Sequence, residues 1–392
     1  MKIVCLSERQ YGCGASIAGY RLALALADAG HEVHWWYARP FAGDTPEGER
    51  LRMRQLPAAP AFRKWEGGFA RLSTYLWGRF LEKRWQQNER AIHAWLDETG
   101  ADVVLLNNID HVLDHARVSR LADRLPVVWL IHSNLALEPW HYRFALPDGG
   151  EETAYSYPPT LVDRAAQLAL LDHPNLQFVT PSNWLAQHNK TLHGDRLRVT
   201  VIPYAVDPAM FYPERSATHR EERIRILFVA SNLAYPRKNI RVLLDALPHL
   251  PADRFHFLAL GEDTDRLAER YPMIEFLSPS YNPADLRRHY SEADYFFIPS
   301  LIDNLPNTVL ESLFCGTPVI GSRTGGIPDM VVPGQSGLLF DPYDAADLTR
   351  VLIGLLETPP PVLRGATLQG WARSRYGKSE IAALWTDFLA RL

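Results

Sequence analysis

The chain has 392 residues, 47% hydrophobic and 22% charged, which is a globular composition too long for one comfortable core, so two domains are expected. A net charge of -4 lacks the basic footprint of nucleic-acid binding, and nucleic acid is not expected as a partner. Cys5, Cys13 and Cys315 form neither a C-x-x-C pair nor a disulfide framework, which suits a reducing cytoplasm. The opening MKIVCLSERQ is too short an apolar run for a signal peptide, and no stretch approaches the roughly 18 apolar residues that span a bilayer. The expectation is a cytoplasmic protein, at most attached to the inner face of the membrane.

Met1–Leu6 reads as a strand, Gly12–Gly14 as a turn, Ile17–Ala29 as a helix closed by Gly30, and His31–Tyr37 as a second strand. Phe62–Arg90 follows, with aromatic and apolar residues at three- and four-residue steps. Arg63, Lys64, Arg71, Arg79, Lys83, Arg84 and Arg90 surround them against Glu66, Glu82 and Glu89. Two readings stay open: a core-facing helix with a solvated charged side, or a basic amphipathic helix on an anionic membrane. The strand rhythm resumes at Asp102–Leu106, Val127–Ile131, Phe178–Thr180 and Thr200–Ile202, apolar runs of the kind buried on both faces of a parallel sheet.

His132 stands at the end of the Val127–Ile131 strand, where doubly wound sheets place ligands, with Glu138, Trp140 and His141 in the loop behind it. Ser182 is expected to cap a helix. Pro208–Arg223 has the Pro-rich, charged look of a linker. A second β/α series then runs through Ile224–Ala230, His256–Gly261, Ile274–Phe276, Tyr295–Pro299, Pro318–Gly321 and Gly337–Phe340, with helices at Ile240–Leu250 and Thr308–Phe314. Trp371–Leu392 reads as one or two closing helices.

Three segments carry chemistry. In Phe228–Lys238, Arg237 and Lys238 stand at a helix start, where two cations and the helix dipole suit a diphosphate. Pro299–Val331 holds Asp303 and Asn304 in a loop and Glu311 on the next helix, carboxylates able to accept bonds from sugar or ribose hydroxyls. It continues through Gly316 into a strand and then to Gly325-Gly326, a loop read as offering exposed N–H groups. Gly12 and Gly14 let backbone approach a ligand closely, but their spacing is not that of a dinucleotide fingerprint. No D-x-D is placed to hold a divalent ion; Asp263-Thr264-Asp265 reads as a helix-capping loop after Gly261.

Taken together, Pro299–Val331 resembles the signature of the family-4 retaining glycosyltransferases of GT-B fold: two acidic residues with seven between, a small-residue turn, a strand, then Gly-Gly. The run from Asp303 to Thr308, DNLPNT, is similar to a branch acting in surface-polysaccharide assembly. The resemblance covers nearly the whole chain and is specific from about Thr180 onward. It implies two doubly wound Rossmann-like α/β domains with parallel sheets facing across a cleft. Residues 1–207 would form the acceptor side, 208–375 the nucleotide-sugar side, and 376–392 would pack back on the first domain.

The resemblance further implies that Glu311 holds the nucleotide ribose. Asp303, where the family usually has Glu, would contact the donor sugar together with the Gly325-Gly326 loop. Lys238 would grip the diphosphate; the family's loop Arg falls at Asn232 or Leu233 here, leaving Arg237 as either its substitute or a neighbour. Asn304, Leu305 and Thr308 complete the donor pocket, while Gly12, Gly14 and His132 close over the transferred sugar. His132, Asp303 and Lys238 form the expected catalytic set, and Trp140 and His141 line the acceptor. The implied reaction is retaining and needs neither metal nor resident cofactor. A sugar would pass from a UDP or GDP sugar to a glycan or lipid-linked acceptor. A nucleotide-sugar epimerase and a non-catalytic sugar-binding scaffold remain open, the latter because of Asp303 and the missing loop Arg. A glycosyl phosphorylase lacks its recognisable pyridoxal lysine motif.

Overall fold

A computed structural model describes residues 1–41, 45, 48–57, 70–109, 111–133, 138, 142–154, 163–214, 223–262, 268–269 and 271–392, the side chains of 48, 70–77, 142 and 154 excepted. Trp140, His141, Asp263-Thr264-Asp265 and positions 62–69 of the basic aromatic stretch lie outside the described residues.

The first half contains β1 (Lys2–Arg9), β2 (Glu32–Arg39), β3 (Arg52–Gln55), β4 (Val103–Asn107) and β5 (Val127–Leu130). A hairpin of β6 (Tyr142–Ala145) and β7 (Glu151–Ala154) comes next, then β8 (Leu176–Thr180) and β9 (Val199–Val201). Seven of these form one parallel sheet in the order β3-β2-β1-β4-β5-β8-β9. Alternate residues of β1 face opposite cores. Val4 and Leu6 pack with Trp36 and Val104, whereas Ile3 and Cys5 pack with Tyr20 and Trp35. Burial on both faces is why these strands read as continuous apolar runs.

The second half contains β10 (Ile224–Asn232), β11 (Phe255–Glu262), β12 (Ile274–Leu277), β13 (Tyr295–Ile298), β14 (Val319–Ser322) and β15 (Gly337–Phe340). They form a second parallel sheet, β12-β11-β10-β13-β14-β15. Two doubly wound, Rossmann-like α/β layers are thus present. In both, the strand order reverses beside the first strand, between β1 and β4 and between β10 and β13. Loops leaving those paired strands diverge to opposite faces and open a crevice at each switch point.

Four local details depart from the sequence expectation. β3 is a polar edge strand, Arg-Met-Arg-Gln, whose composition hides it, and the hairpin lies outside both sheets. The helix read over Ile240–Leu250 stops at Ala246, and Pro248 turns the rest into a short 3-10 segment. Arg84, grouped above with the surrounding cations, is buried in helix Ala70–Thr99, as are Leu81 and Trp85. The closing helices are Gly365–Tyr376 and Lys378–Leu389. Ile381, Trp385 and Leu389 of the last helix enter the core around Ile3, Tyr20 and Leu24 of the first sheet. The chain therefore crosses between the halves twice, and the crossings lie side by side: Val206 N donates to Tyr376 O at 2.9 Å and Lys378 N to Val206 O at 3.0 Å.

Trp385 is 1% exposed. Trp385→Ala is expected to cost the first domain about 3–5 kcal/mol. Urea unfolding should show that loss in the first-domain transition; an unchanged midpoint would refute the packing described.

Candidate active site

The two switch points face one another across a cleft of about 610 Å³. From the first domain come Gly12, Cys13 and Gly14 after β1, Asn108 after β4 and His132 after β5; from the second come Arg237, Lys238, and Asp303 to Thr308 with Glu311. Local chemistry fixes each loop. Gly12 has φ +94 and Gly316, which ends the helix Asn307–Phe314, has φ +78. Asn239 takes the left-handed conformation without being glycine, held by its Nδ2 donating to Pro299 O (3.1 Å) and Pro342 O (2.9 Å). That side chain ties the Arg237–Lys238 turn to the end of β13.

Asp303 lies between the two cations. Lys238 Nζ reaches its Oδ2 at 2.7 Å, Arg237 Nη1 at 3.0 Å and Ser300 Oγ at 3.3 Å. Oδ1 accepts no hydrogen bond from a described residue. Burial alone would raise this carboxyl, but the charges of Arg237 and Lys238 outweigh it and hold Asp303 far below the usual carboxylate range. Burial lowers the Lys238 ammonium, with Asp303 opposing. The helix Asn307–Phe314 has Pro306 as its N-cap and no side-chain cap bond, so its first turn opens on the cleft with donors available.

Glu311 is not vacant. Arg21 Nη2, from helix Gly14–Asp28 of the first domain, donates to Oε1 at 2.6 Å, and Tyr290 Oη donates to Oε2 at 3.2 Å. Asn304 likewise spends its side chain across the cleft: Nδ2 donates to His132 O at 3.0 Å, and Oδ1 accepts from Ser182 Oγ. Ser182 also caps its own helix through Leu185 N. Asn307 Nδ2 donates to Gly14 O at 2.8 Å, and Asp329 Oδ2 accepts Asn183 N at 2.7 Å. The domains are thus joined around the rim of the cleft.

His132 is locked as a neutral ring. Its Nε2 meets Asn107 Oδ1 at 2.6 Å and its Nδ1 meets Tyr204 Oη at 2.6 Å. A carboxamide oxygen only accepts, so Nε2 carries the proton and Nδ1 accepts from the tyrosine. Burial lowers its pKa from 6.5 to about 3. Both ring nitrogens are thus engaged by protein groups.

The remaining expectations divide. Leu305 and Thr308 line the cleft, but Asn232 does not, and its Oδ1 instead accepts Ala234 N at 2.8 Å. Gly325 and Gly326 are not a ligand loop. A Cβ on either would meet the carbonyl of Asp303 or Asn304 at 2.0 or 1.8 Å, and Gly326 N donates to Asp303 O, so they buttress that loop from behind. Glu138 turns away to Arg164 (2.9 Å) and His193 (3.3 Å). Sequence reading missed Glu8, Arg9, Arg39, Asn108 and His111, all lining the cleft. It also missed Arg21, the only charged side chain between Gly14 and Ala27 of an otherwise apolar helix.

Two facing parallel sheets, with a cation pair and an open helix N-terminus between them, define a two-domain α/β protein with an anion-binding cleft. The family described as "Glycosyltransferase Family 4" matches residues 13–210, and "Glycosyl transferases group 1" matches 223–358. The chain belongs to glycosyltransferase family 4.

Among curated relatives, the MMP alpha-(1->4)-mannosyltransferase of Mycolicibacterium hassiacum is 30% identical over 174 residues, 42% of this chain and 41% of that protein. The D-inositol 3-phosphate glycosyltransferase of Corynebacterium efficiens is 27% identical over 263 residues, 60% of this chain and 58% of that one. The chain thus spans about half the length of the curated relatives it matches. Among solved structures, sucrose-phosphate synthase from Thermosynechococcus elongatus superposes with TM-score 0.73 at 17% identity, over 100% of this chain and 98% of that one. Anabaena HepE in complex with UDP-glucose superposes with TM-score 0.69 at 16% identity, over 100% of both chains. At that identity the likeness is one of fold.

Two outcomes follow. Glu311→Ala leaves Arg21 buried and unpaired and should destabilise the protein by roughly 3–5 kcal/mol, whereas Glu311→Gln keeps an acceptor for Arg21 and should lose less. Urea titration of both variants checks this, and equal losses would contradict it. The second concerns pH. His132 is neutral when folded and has a folded pKa below its unfolded value of 6.5, so the unfolded chain takes up the proton first. Its contribution is full above pH 6.5 and is lost progressively toward about 3. His132→Gln should flatten the fall of unfolding free energy across that window; a slope identical to wild type would count against the neutral ring.

Proposed function

We propose that the protein is a retaining, metal-independent glycosyltransferase that moves a sugar from a UDP or GDP sugar to a glycan or lipid-linked acceptor. One observation carries the reading: an uncapped helix N-terminus, the Arg237–Lys238 pair and the open oxygen of Asp303 converge on one cleft. The diphosphate would lie against the first turn at Asn307 and Thr308 beside the two cations, which stabilise leaving-group charge without a divalent ion. Asp303 Oδ1 would accept a hydroxyl of the donor sugar. The ribose would bond Glu311, which keeps Arg21 as its counter-ion. The first-domain loop at Gly12 and Gly14 would cover the transferred sugar.

In the reaction the bond from the anomeric carbon to the diphosphate oxygen breaks, and the acceptor oxygen bonds to that carbon. The acceptor proton passes to the leaving phosphate oxygen on the same face. Retention by same-face attack is what the family resemblance implies. Glu8, Asp303 and Glu311, the carboxylates lining the cleft among the described residues, are each held by a cation, which fits a path without a covalent intermediate. The neutral His132 and the His132–Asn304 bond would position the closed cleft rather than move a proton. Anabaena HepE, of the same fold, has been solved with UDP-glucose, which favours a uridine donor.

Calorimetric titration with UDP, GDP, ADP and their sugar conjugates, with and without EDTA, tests the proposal. One nucleotide should bind equally well in EDTA, and Lys238→Ala should weaken it by about tenfold or more. Binding that requires a divalent ion would overturn metal independence. Failure of every nucleotide would sink the transferase reading and favour a scaffold.

A further inference from the structure

The first-domain edge of the cleft carries charge that the donor reading leaves unused. β1, β2 and β4 end side by side, and their ends bring Glu8, Arg9, Arg39 and His111 to one place. Glu8 Oε1 receives Arg39 Nε at 3.1 Å and His111 Nδ1 at 3.0 Å. Burial raises the Glu8 carboxyl, but His111, Arg39 and Arg9 together outweigh it and hold it at about 2, so Glu8 stays ionised. Its bond takes only the Nε of Arg39 and leaves both terminal nitrogens of a side chain that is 43% exposed. Arg9 is exposed and makes no ion pair among the described residues.

Beside them lies Arg84, 4% exposed, whose Nε and Nη2 donate to no described residue. It lies within range of the charges of Arg39 and Glu8 and forms no ion pair of its own among the described residues. A buried guanidinium lacking a partner costs several kcal/mol unless an anion compensates it. Among the described residues three guanidinium groups thus stand near one carboxylate, in a chain whose net charge is -4. They lie on the domain opposite Lys238 and Arg237, and the open fork of Arg39 has the planar geometry that matches a carboxylate or phosphate oxygen pair.

We propose that this edge is an oxyanion subsite for the acceptor: the molecule that receives the sugar carries a phosphate ester or a carboxylate, seated on Arg39 and Arg9. Glu8 is the positioning residue that aims Arg39, and Arg84 supplies positive potential from below. The proposal rests on the transferase reading, because it assigns the anion to the acceptor rather than the donor.

The test uses the full chain. The nucleotide is titrated first; with it saturating, inorganic phosphate, glucuronate and glucose are titrated by calorimetry on wild type, Arg39→Gln and the Arg9→Gln/Arg39→Gln double variant. Phosphate, glucuronate or both should bind about tenfold or more tightly than glucose, and the variants should lose that preference while nucleotide affinity and melting temperature stay unchanged. Preference for phosphate assigns a phosphate ester, and preference for glucuronate a carboxylate. No binding of either anion, a preference that survives in both variants, or a parallel loss of nucleotide affinity would overturn the proposal. If no nucleotide binds, the transferase reading fails by itself, and the same anion titrations on the unliganded chain still decide whether the edge holds an oxyanion.

Discussion

Ionised groups in a closed cleft must be compensated, and here the protein supplies the compensation itself. Asp303 is held by Lys238 and Arg237, Glu311 by Arg21, and Glu8 by Arg39 and His111. The Asp303 pairing is set by backbone that is itself fixed: the Asn239 side chain pins the Arg237–Lys238 turn, and the two glycines at 325 and 326 let their loop press against Asp303 and Asn304. A ligand therefore meets charges already oriented. What it gains comes from exchanging partners in a preformed array, with little reorganisation at the moment of reaction.

The same economy of partners joins the domains. Arg21, Asn304, Asn307 and Asp329 all reach from one half to the other, so the contacts that join the halves are also contacts of the site residues. Asn107 shows how far this extends. It orients His132 while packed so closely against Gly19 that a Cβ there would sit 2.2 Å from its carboxamide. A glycine inside a helix thus makes room for the side chain that meets His132.

Much of this was legible in the chain. Strands buried on both faces announce themselves as apolar runs, and the second-domain strands were placed to within a residue or two. The acidic pair, the cation pair and the glycine loop were recognisable because each is local in sequence. The cluster of Glu8, Arg39 and His111 was not, since it exists only once the sheet order places the ends of β1, β2 and β4 together. A trace was present: Arg9 and Arg39 each end a largely apolar strand. Arg21 left a similar trace as the one charge within the apolar body of its helix, ahead of the terminal Asp28. Roles were harder to read than positions. Gly325-Gly326 spends its freedom on close packing, and Asn232 on its own turn, and neither preference leaves a mark in spacing.

The last helix has a consequence for how the molecule is made. Ile381, Trp385 and Leu389 belong to the core built on β1, so the domain whose strands leave the ribosome first lacks part of its interior until the other domain has been synthesised. Translation usually completes domains in order from the amino end. Here that order is inverted. The second sheet, whose strands are contiguous in sequence, can finish while the first waits with one apolar face uncovered. During that interval Tyr20, Leu24 and their neighbours lack their final cover, the state in which nascent chains recruit chaperones.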